Sequence, residues 1–463
     1  MSDFQRWTDL ALSPLKAAGE ALADLPVSLA HDRRRIAITG LQRSGKTVFI
    51  TAFAHALLTA RQEPAAKALP FFPFVKKVHD VSLHAVPGFA RFDYEGHLAS
   101  LTGDPPRWPK PTTDLSALRI RLRYTPNPFL GRQWVSSATL DVDLIDYPGE
   151  WLIDLPMLAQ SYAAWSRQAE DLAAAPARSD LAAAWRADAA RIDLDAPEDP
   201  RLLARVGGLY VDYLRLCRSE RHLSFLQPGR FLQPSGNAGE ALFFPVARLD
   251  SPRRGSNGAA LVRRYEAYQR LVRTFYASVF GRLRRQAVLI DLLTALQQGQ
   301  DAFADLAMAV LTISDSFDEL APVYLKYLPF MGIERLALVA TKADHVTADQ
   351  MNNLTGLLQD MAGQLVVNAK TGPGFQSIAA VRATTEVPLM VNGAVQPFLE
   401  GFPEGSEEKK AVFPGAIPGS LPAAAAWMNP DFRIRNFQPP HGLGTGPMPH
   451  LNMDKLLQFL LAP

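Results

Sequence analysis

The sequence predicts an α/β protein: a mostly parallel sheet with helices on both faces, a large helical insertion, and a C-terminal extension rich in Pro and Gly that carries a β-hairpin. Three observations carry that prediction. Short apolar runs that read as buried strands alternate along the chain with stretches of helical periodicity. Gly40-Leu41-Gln42-Arg43-Ser44-Gly45-Lys46-Thr47 fits G-x-x-x-x-G-K-[ST] at every fixed position and lies between such a strand and such a helix. From Leu152 to about Leu226 the sequence turns Ala-, Leu- and Arg-rich, with apolar residues at helical spacing, and interrupts the alternation.

At 463 residues the chain exceeds what one hydrophobic core usually serves, so a second domain or a substantial insertion is expected. A hydrophobic content of 48% with 20% charged residues is globular, and a formal net charge of +2 with both signs mixed gives no basic footprint for nucleic acid. The single cysteine, Cys217, excludes an intramolecular disulfide and a thiolate metal cluster. No apolar run approaches the roughly 18 residues of a membrane span, and acidic residues at 3, 9, 20 and 24 interrupt any signal-like start. A cytoplasmic protein is the expectation.

In order, residues 4–29 carry Phe4, Trp7, Leu10, Leu12, Leu15, Ala18, Leu22 and Leu25 around Pro14 and Pro26. This amphipathic stretch either packs outside the first strand or meets a membrane surface, and a polar face poor in Lys and Arg favours packing. Arg35 to Thr39 reads as a buried strand and Val48 to Leu58 as a helix. Between them, glycines let the backbone curl so that N–H groups point at phosphate oxygens, and the helix N-terminus adds partial positive charge. The expected cradle is Gly40, Gln42, Arg43, Ser44, Gly45, Lys46, Thr47 and Val48, with Lys46 on the β- and γ-phosphates and the Thr47 hydroxyl on Mg²⁺.

Residues 62–111 read as a long functional loop ending in Trp108-Pro109-Lys110-Pro111-Thr112-Thr113-Asp114. Then Leu118, Ile120, Leu122 and Tyr124 alternate with Arg119, Arg121 and Arg123, and Leu140, Val142 and Leu144 alternate with Asp141 and Asp143. These are expected to be antiparallel neighbours with Arg–Asp partners on a solvated face. The second strand runs into Asp146-Tyr147-Pro148-Gly149, where a carboxylate can hold Mg²⁺ through water and a glycine N–H can approach a γ-phosphate.

After the helical stretch, 228–257 reads as loop with one apolar run, and Leu261 to Arg285 as a long helix leading to a strand at Gln286 to Asp291. A helix over 301–321 precedes the strand Ile333 to Ala340, which ends in Thr341-Lys342-Ala343-Asp344. A helix over 347–364 and a strand at Ile378 to Arg382 follow, with Ala383 and Thr384 at its end. Asn392-Gly393 between apolar runs predicts a hairpin over 388–397, and Asn452 to Leu461 a closing helix. The expected domains are a 1–30 helical segment, a nucleotide-binding domain from 31–150 and 258–388, a helical insertion over 151–257, and a C-terminal hairpin, loop and helix over 389–463.

Four signals stand in the order of a GTP-binding fold: Gly40 to Thr47, the Thr112-Thr113 loop, Asp146 to Gly149, and Thr341 to Asp344. The last resembles [NT]KxD, in which the Asp accepts from guanine's ring N–H and amine while the Lys stem covers the base. Ala383 and Thr384 fall where such folds touch the guanine oxygen. Together with the Trp-Pro-x-x-Thr-Thr-Asp run, the Asp-Tyr-Pro-Gly-Glu-Trp run and the helical insertion, the chain resembles the YcjX-like family of bacterial P-loop NTPases over nearly its full length.

That resemblance implies nucleotide binding and hydrolysis, a cytoplasmic place, an association with stress response, and room for a protein partner at the inner membrane, met through the insertion. Glu150 stands where many such proteins carry a water-orienting glutamine, and its charge would be repelled by the γ-phosphate. Gln42 is the better water-positioning candidate, with Arg43 beside it as an internal charge stabiliser. Thr112 and Thr113 are not separated by the pattern. Thr113 is carried into the expected catalytic set with Lys46, Gln42 and Arg43, and into the metal set with Thr47 and Asp146. The leading reading is a Mg²⁺-dependent GTPase switch. An ATPase of the same fold and a nucleotide-stabilised scaffold are the alternatives, and an Asp344 that merely caps the following helix would favour the first of them.

Overall fold

The computed structural model describes residues 12–17, 31–41, 43–61, 69–112, 114–126, 137–233, 241–315, 333–363, 374–428, 430–444 and 446–462. Most of the expected N-terminal helical segment lies outside them, as do Gln42, Thr113 and the end of the helix expected over 301–321. The described chain forms two compact units, one built from Gly149–Arg282 with 12–17 and 301–315, the other from 31–148, 283–300 and 333–462.

The second unit holds all eleven strands among the described residues: β1 His31–Gly40, β2 Val78–His84, β3 Ala90–Arg91, β4 Ser116–Tyr124, β5 Ala138–Asp146, β6 Arg285–Ile290, β7 Arg335–Ala340, β8 Gly374–Ser377, β9 Thr385–Val391, β10 Ala394–Gly401 and β11 Lys410–Val412. The main sheet runs β2-β4-β5-β1-β6-β7-β8, with β3 beside β4. From β5 to β8 every pairing is parallel, so these strands end on one edge. Strand β4 runs antiparallel to β5 with Ser116 opposite Asp146, which brings the start of β4 to that same edge. Ligands of parallel sheets bind outside the carboxyl ends of their strands, and this edge collects each expected element of the unit.

One face of the sheet is apolar because the alternation puts Ile36, Ile38, Leu118, Ile120, Val142 and Leu144 on one side. They pack with Phe49, Phe53 and Leu57 of the helix Lys46–Leu58 and with Leu456, Leu457 and Leu460 of the closing helix Met453–Leu461. Each such side chain, removed from water, contributes about 1.5–3 kcal/mol. His55 on the first of these helices is buried and bonded at both ring nitrogens, to Tyr94 Oη and Gly446 O at 2.8 Å each.

The Arg–Asp ladder forms as expected. Arg119 grips Asp143 through two bonds of 2.6 and 2.9 Å, and Arg121 grips Asp141 at 2.8 and 2.9 Å. The face is not solvated, however: Asp141 and Asp143 are 0% and 1% exposed. Burial raises the Asp141 pKa, and the Arg121 and His31 bonds more than offset it, leaving it below the usual carboxylate range.

The described part of the 62–111 stretch, from residue 69 on, is more than a loop. It supplies the antiparallel edge strand β2 and the helix Tyr94–Thr102, whose Asp93 cap accepts from Gly96 N. The last strand lies before the expected 378–382: β8 ends at Ser377, and 378–382 makes only an isolated bridge from Ala379 to Leu451. The hairpin joins β9 to β10 through Asn392 and Gly393, both at positive φ, as a tight two-residue turn requires.

The helical unit contains Glu150–Ile153, Tyr162–Ala174, Ser179–Ala190, Pro200–Glu220, Asn257–Ser278 and most of Gln300–Asp315. Its interior is aromatic, with Trp165 against Phe243 at 5.2 Å and Trp185 against Tyr210 at 5.1 Å between centroids. The boundary expected at 257/258 falls inside a helix. Asn257–Ser278 belongs with this unit because Tyr265 Oη donates to Met157 O and Gln160 O, and Tyr268 Oη to Asp154. Residues 389–462 belong to the sheet unit and make no separate body. No described helix is long and apolar enough to cross a membrane.

Candidate functional site

The phosphate-binding candidate begins where β1 ends. A Cβ at Gly40 would lie 2.2 Å from Ser44 Oγ and 2.9 Å from Leu289 O, so only glycine lets the loop press against β6. Arg43 and Gly45 take positive φ, which turns the loop into the helix Lys46–Leu58. Arg43 is exposed, and Val48 is partly buried with its side chain packed on the core, so Val48 has only its backbone to offer a ligand. Ser44 is 1% exposed, and among the described residues its Oγ meets no hydrogen-bond partner. A buried donor without a partner, in a loop of inward-turned backbone, suits a phosphate oxygen.

Four expected residues meet at this edge. Lys46 Nζ forms an ion pair with Asp146 Oδ1 and lies 3.5 Å from Thr112 Oγ1. Thr112 Oγ1 donates to Asp146 Oδ2 at 2.7 Å, and Thr112 N donates to Thr47 Oγ1 at 3.3 Å. Sequence reasoning missed Ser116, whose hydroxyl lies 3.5 Å from Asp146 Oδ2. Its signal is positional, as the first residue of a strand antiparallel to β5. Thr47, Thr112 and Asp146 present hard oxygen donors, the set that suits Mg²⁺ when phosphates and water supply the remaining ligands.

Next to Asp146, Tyr147 is fully buried and locked by its hydroxyl to Gln286 Oε1 at 2.9 Å and by its carbonyl to Thr39 Oγ1 at 3.1 Å. Burial raises its pKa far above the usual tyrosine value. Gly149 caps Glu150–Ile153 and is the first residue of the helical unit's main segment. Within that unit the Glu150 carboxylate accepts from Arg218 at 3.3 Å.

At β7 the chain passes into Thr341, whose N–H donates to Ile290 O at 3.0 Å, and then Lys342 at φ 59°. Lys342 Nζ lies 2.6 Å from Asp291 Oδ2 and 3.1 Å from Thr294 Oγ1. Burial raises the Asp291 pKa, and the Lys342 charge with the Lys342 and Thr294 bonds outweighs it, so the carboxylate stays below its ordinary range. Asp291 and Thr294 were not singled out by sequence reasoning, although Asp291 follows a buried strand just as Asp146 ends one.

Asp344 is 4% exposed and caps none of the described helices. Its Oδ2 accepts from Ala383 N at 2.7 Å, and its carbonyl accepts from Thr384 Oγ1. The helix that follows, Met351–Ala362, starts after Gln350, and the short turn before it after Thr347. Ala383 and Thr384 therefore reach Asp344 although β8 ends six residues before Ala383, because Ala343 N bonds Ile378 O and the intervening chain folds back. His345, next in line, is buried, which lowers its pKa and keeps the ring neutral near pH 7.

Comparison with known proteins identifies the family. A profile described as "YcjX-like family, DUF463" matches residues 34–462. A protein named "Ras-like GTPase YcjX" from Escherichia coli (strain K12) is 37% identical over 449 residues, covering 92% of this chain and 95% of the relative. One of the same name from Shewanella oneidensis is 32% identical over 473 residues, covering 94% and 96%. On a profile match over nearly its whole length and two full-length relatives above 30% identity, the chain belongs to the YcjX-like family of GTPase-like P-loop proteins.

Proposed function

We propose that the protein binds and hydrolyses GTP with Mg²⁺ and works as a nucleotide-driven conformational switch. The observation that carries the reading is the meeting of Lys46, Thr47, Thr112 and Asp146 at the sheet edge where Asp344, Ala383 and Thr384 also meet. Names of relatives that include "GTPase" support it.

In this reading Lys46 leaves Asp146 for the β- and γ-phosphates, and the buried Ser44 hydroxyl gains an acceptor. Thr47 and Thr112 turn their oxygens, and Asp146 its carboxylate, toward the ion. Held by these three residues, Mg²⁺ would supply charge neutralisation to the phosphates. Of the two candidate threonines we assign the switch role to Thr112, because its Oγ1 already touches Asp146 and lies near Thr47. Because Glu150 is engaged by Arg218, Gln42 is proposed in its place as the water-positioning group, with Arg43 beside it as an internal charge stabiliser. Release of Thr112 after hydrolysis, and of Gly149 with it, would be passed along the chain to the helical unit, the proposed contact for a protein partner. A cytoplasmic role in stress response, at the inner membrane where the partner sits, is proposed on family resemblance.

The base distinguishes GTP from ATP. The Asp344 carboxylate has lone pairs beyond the one taken by Ala383 N–H, and guanine's N1–H and 2-amine can use them. Adenine's corresponding edge offers only acceptors. In Asp344→Asn, the amide oxygen keeps the Ala383 N–H, which turns the NH₂ toward the base and suits xanthine's 2-carbonyl. We expect Asp344→Asn to weaken GTP at least about tenfold and to strengthen XTP, since each charge-assisted bond is worth on the order of 1.5–3 kcal/mol. Calorimetric titration of both proteins with GTP, ATP and XTP checks this. Equal wild-type affinity for GTP and ATP, unchanged in the variant, would hand the reading to an ATPase.

A further inference from the structure

The C-terminal extension reaches both ends of the candidate site. Trp108 opens the Trp-Pro-Lys-Pro-Thr run, and its Nε1 donates to Phe437 O at 2.8 Å. Phe437 is 3% exposed. Its ring stands edge-on to His345, with centroids 5.2 Å apart, and packs with Ala383 and Leu399. One residue therefore touches the threonine loop through its backbone and the base-reading loops through its side chain.

Its own position is held by residues 402–404, which follow β10. Pro403 bridges Phe437, Gln438 N donates to Phe402 O at 2.8 Å, and Glu404 N donates to Asn436 O at 2.9 Å. At the end of β10, a Cβ on Gly401 would come within 2.9 Å of both Ala383 O and Phe437 Cδ1. Glycine here permits a close seat of the extension on the loop that bonds Asp344. On the other side, Pro109 and Pro111 stiffen the three-residue path between Trp108 and Thr112, so the anchor at Trp108 limits where Thr112 can go.

Building on the GTPase reading, we infer that Trp108 and Phe437 are positioning residues, through which the C-terminal extension ties the threonine loop to the base-reading loops. Correct seating of guanine against Asp344 and Ala383 steadies Phe437, and Phe437 O steadies Trp108 and with it Thr112. Base identity thereby acts on hydrolysis as well as on affinity.

The test uses full-length protein. Trp108→Phe keeps an aromatic ring and removes the N–H together with the second ring of the indole, and Phe437→Leu keeps an apolar side chain and removes the ring contact. Steady-state hydrolysis of GTP and ATP, GDP affinity and thermal midpoint are measured for wild type, each variant and the double variant. For Trp108→Phe we expect kcat for GTP to fall about two- to tenfold, the loss of one hydrogen bond, with GDP affinity unchanged and the thermal midpoint lowered only slightly. Phe437→Leu should cut the GTP-over-ATP preference in kcat/KM by a similar factor. The double variant should lose less than the product of the two, because both interrupt one connection. Parental kcat in Trp108→Phe, or equal losses in GDP affinity, GTP affinity and thermal midpoint, overturns the inference and leaves the GTPase reading standing. A wild type that binds no GTP removes both.

Discussion

Lys46 and Asp146 hold each other at the sheet edge, with Asp146 almost wholly buried and bonded also by Thr112. The lysine that would serve phosphate thus neutralises a buried carboxylate until phosphate arrives, and binding must be strong enough to replace that pair. Removing it has two separable effects. We predict that Lys46→Ala abolishes GTP hydrolysis and lowers stability without nucleotide by about 1–3 kcal/mol, since Asp146 is left with hydroxyl partners only. Lys46→Ala combined with Asp146→Asn should recover the stability and not the activity. Thermal unfolding without nucleotide and single-turnover phosphate release follow the two effects. Parental turnover by Lys46→Ala ends the phosphate-loop assignment.

At the scale of elements, the short helix Glu150–Ile153 hands the chain to Asp154, a carboxylate buried inside the helical unit. It accepts from Gly229 N at 2.8 Å and Tyr268 Oη at 2.5 Å, with the Arg230 side chain stacked on Trp151 nearby. Burial pushes its pKa up to about 7, against the bonds from Tyr268 and Gly229 and the Arg230 charge. A raised carboxylate pKa means the native state binds more protons than the unfolded state between about pH 4 and pH 7. Stability should therefore fall as pH rises through that window, by at most about 1.4 kcal/mol per pH unit, and flatten above it. Asp154→Asn lacks this slope. Thermal midpoints of both proteins from pH 5 to 8 check it: the wild-type midpoint, taken relative to the variant, should be higher at pH 5 than at pH 8. Parallel curves would falsify the assignment of a protonated Asp154.

For the whole molecule, the consequence of the proposed switch lies in the chain's continuity. Asp146 ends β5, and three residues later Gly149 opens the main segment of the helical unit. If the Asp146-to-Gly149 segment changes with the γ-phosphate, the helices after it should register the change. We predict that amide exchange across residues 150–226 differs between GDP and a non-hydrolysable GTP analogue. Identical exchange in the two states would favour a scaffold over a switch.

The local patterns alone determined the phosphate loop, the Arg–Asp strand pair, the parallel α/β class and the Asn-Gly hairpin, because each depends on neighbours within a few residues or on a period of two. They also placed Asp344 behind a buried strand. Tertiary structure decided the rest. That Asp143 is buried and not solvated depends on packing that no alternation reports, since a charged strand face reads the same either way. That Asn257–Ser278 joins the helical unit is settled by Tyr265 and Tyr268 hydroxyls meeting carbonyl and carboxylate groups more than 100 positions away in the chain. Ser116, Asp291 and Phe437 took their places beside Asp146, Lys342 and Trp108 through strand register and chain return, contacts whose partners are separated by 30, 51 and 329 positions and so leave no short-range mark.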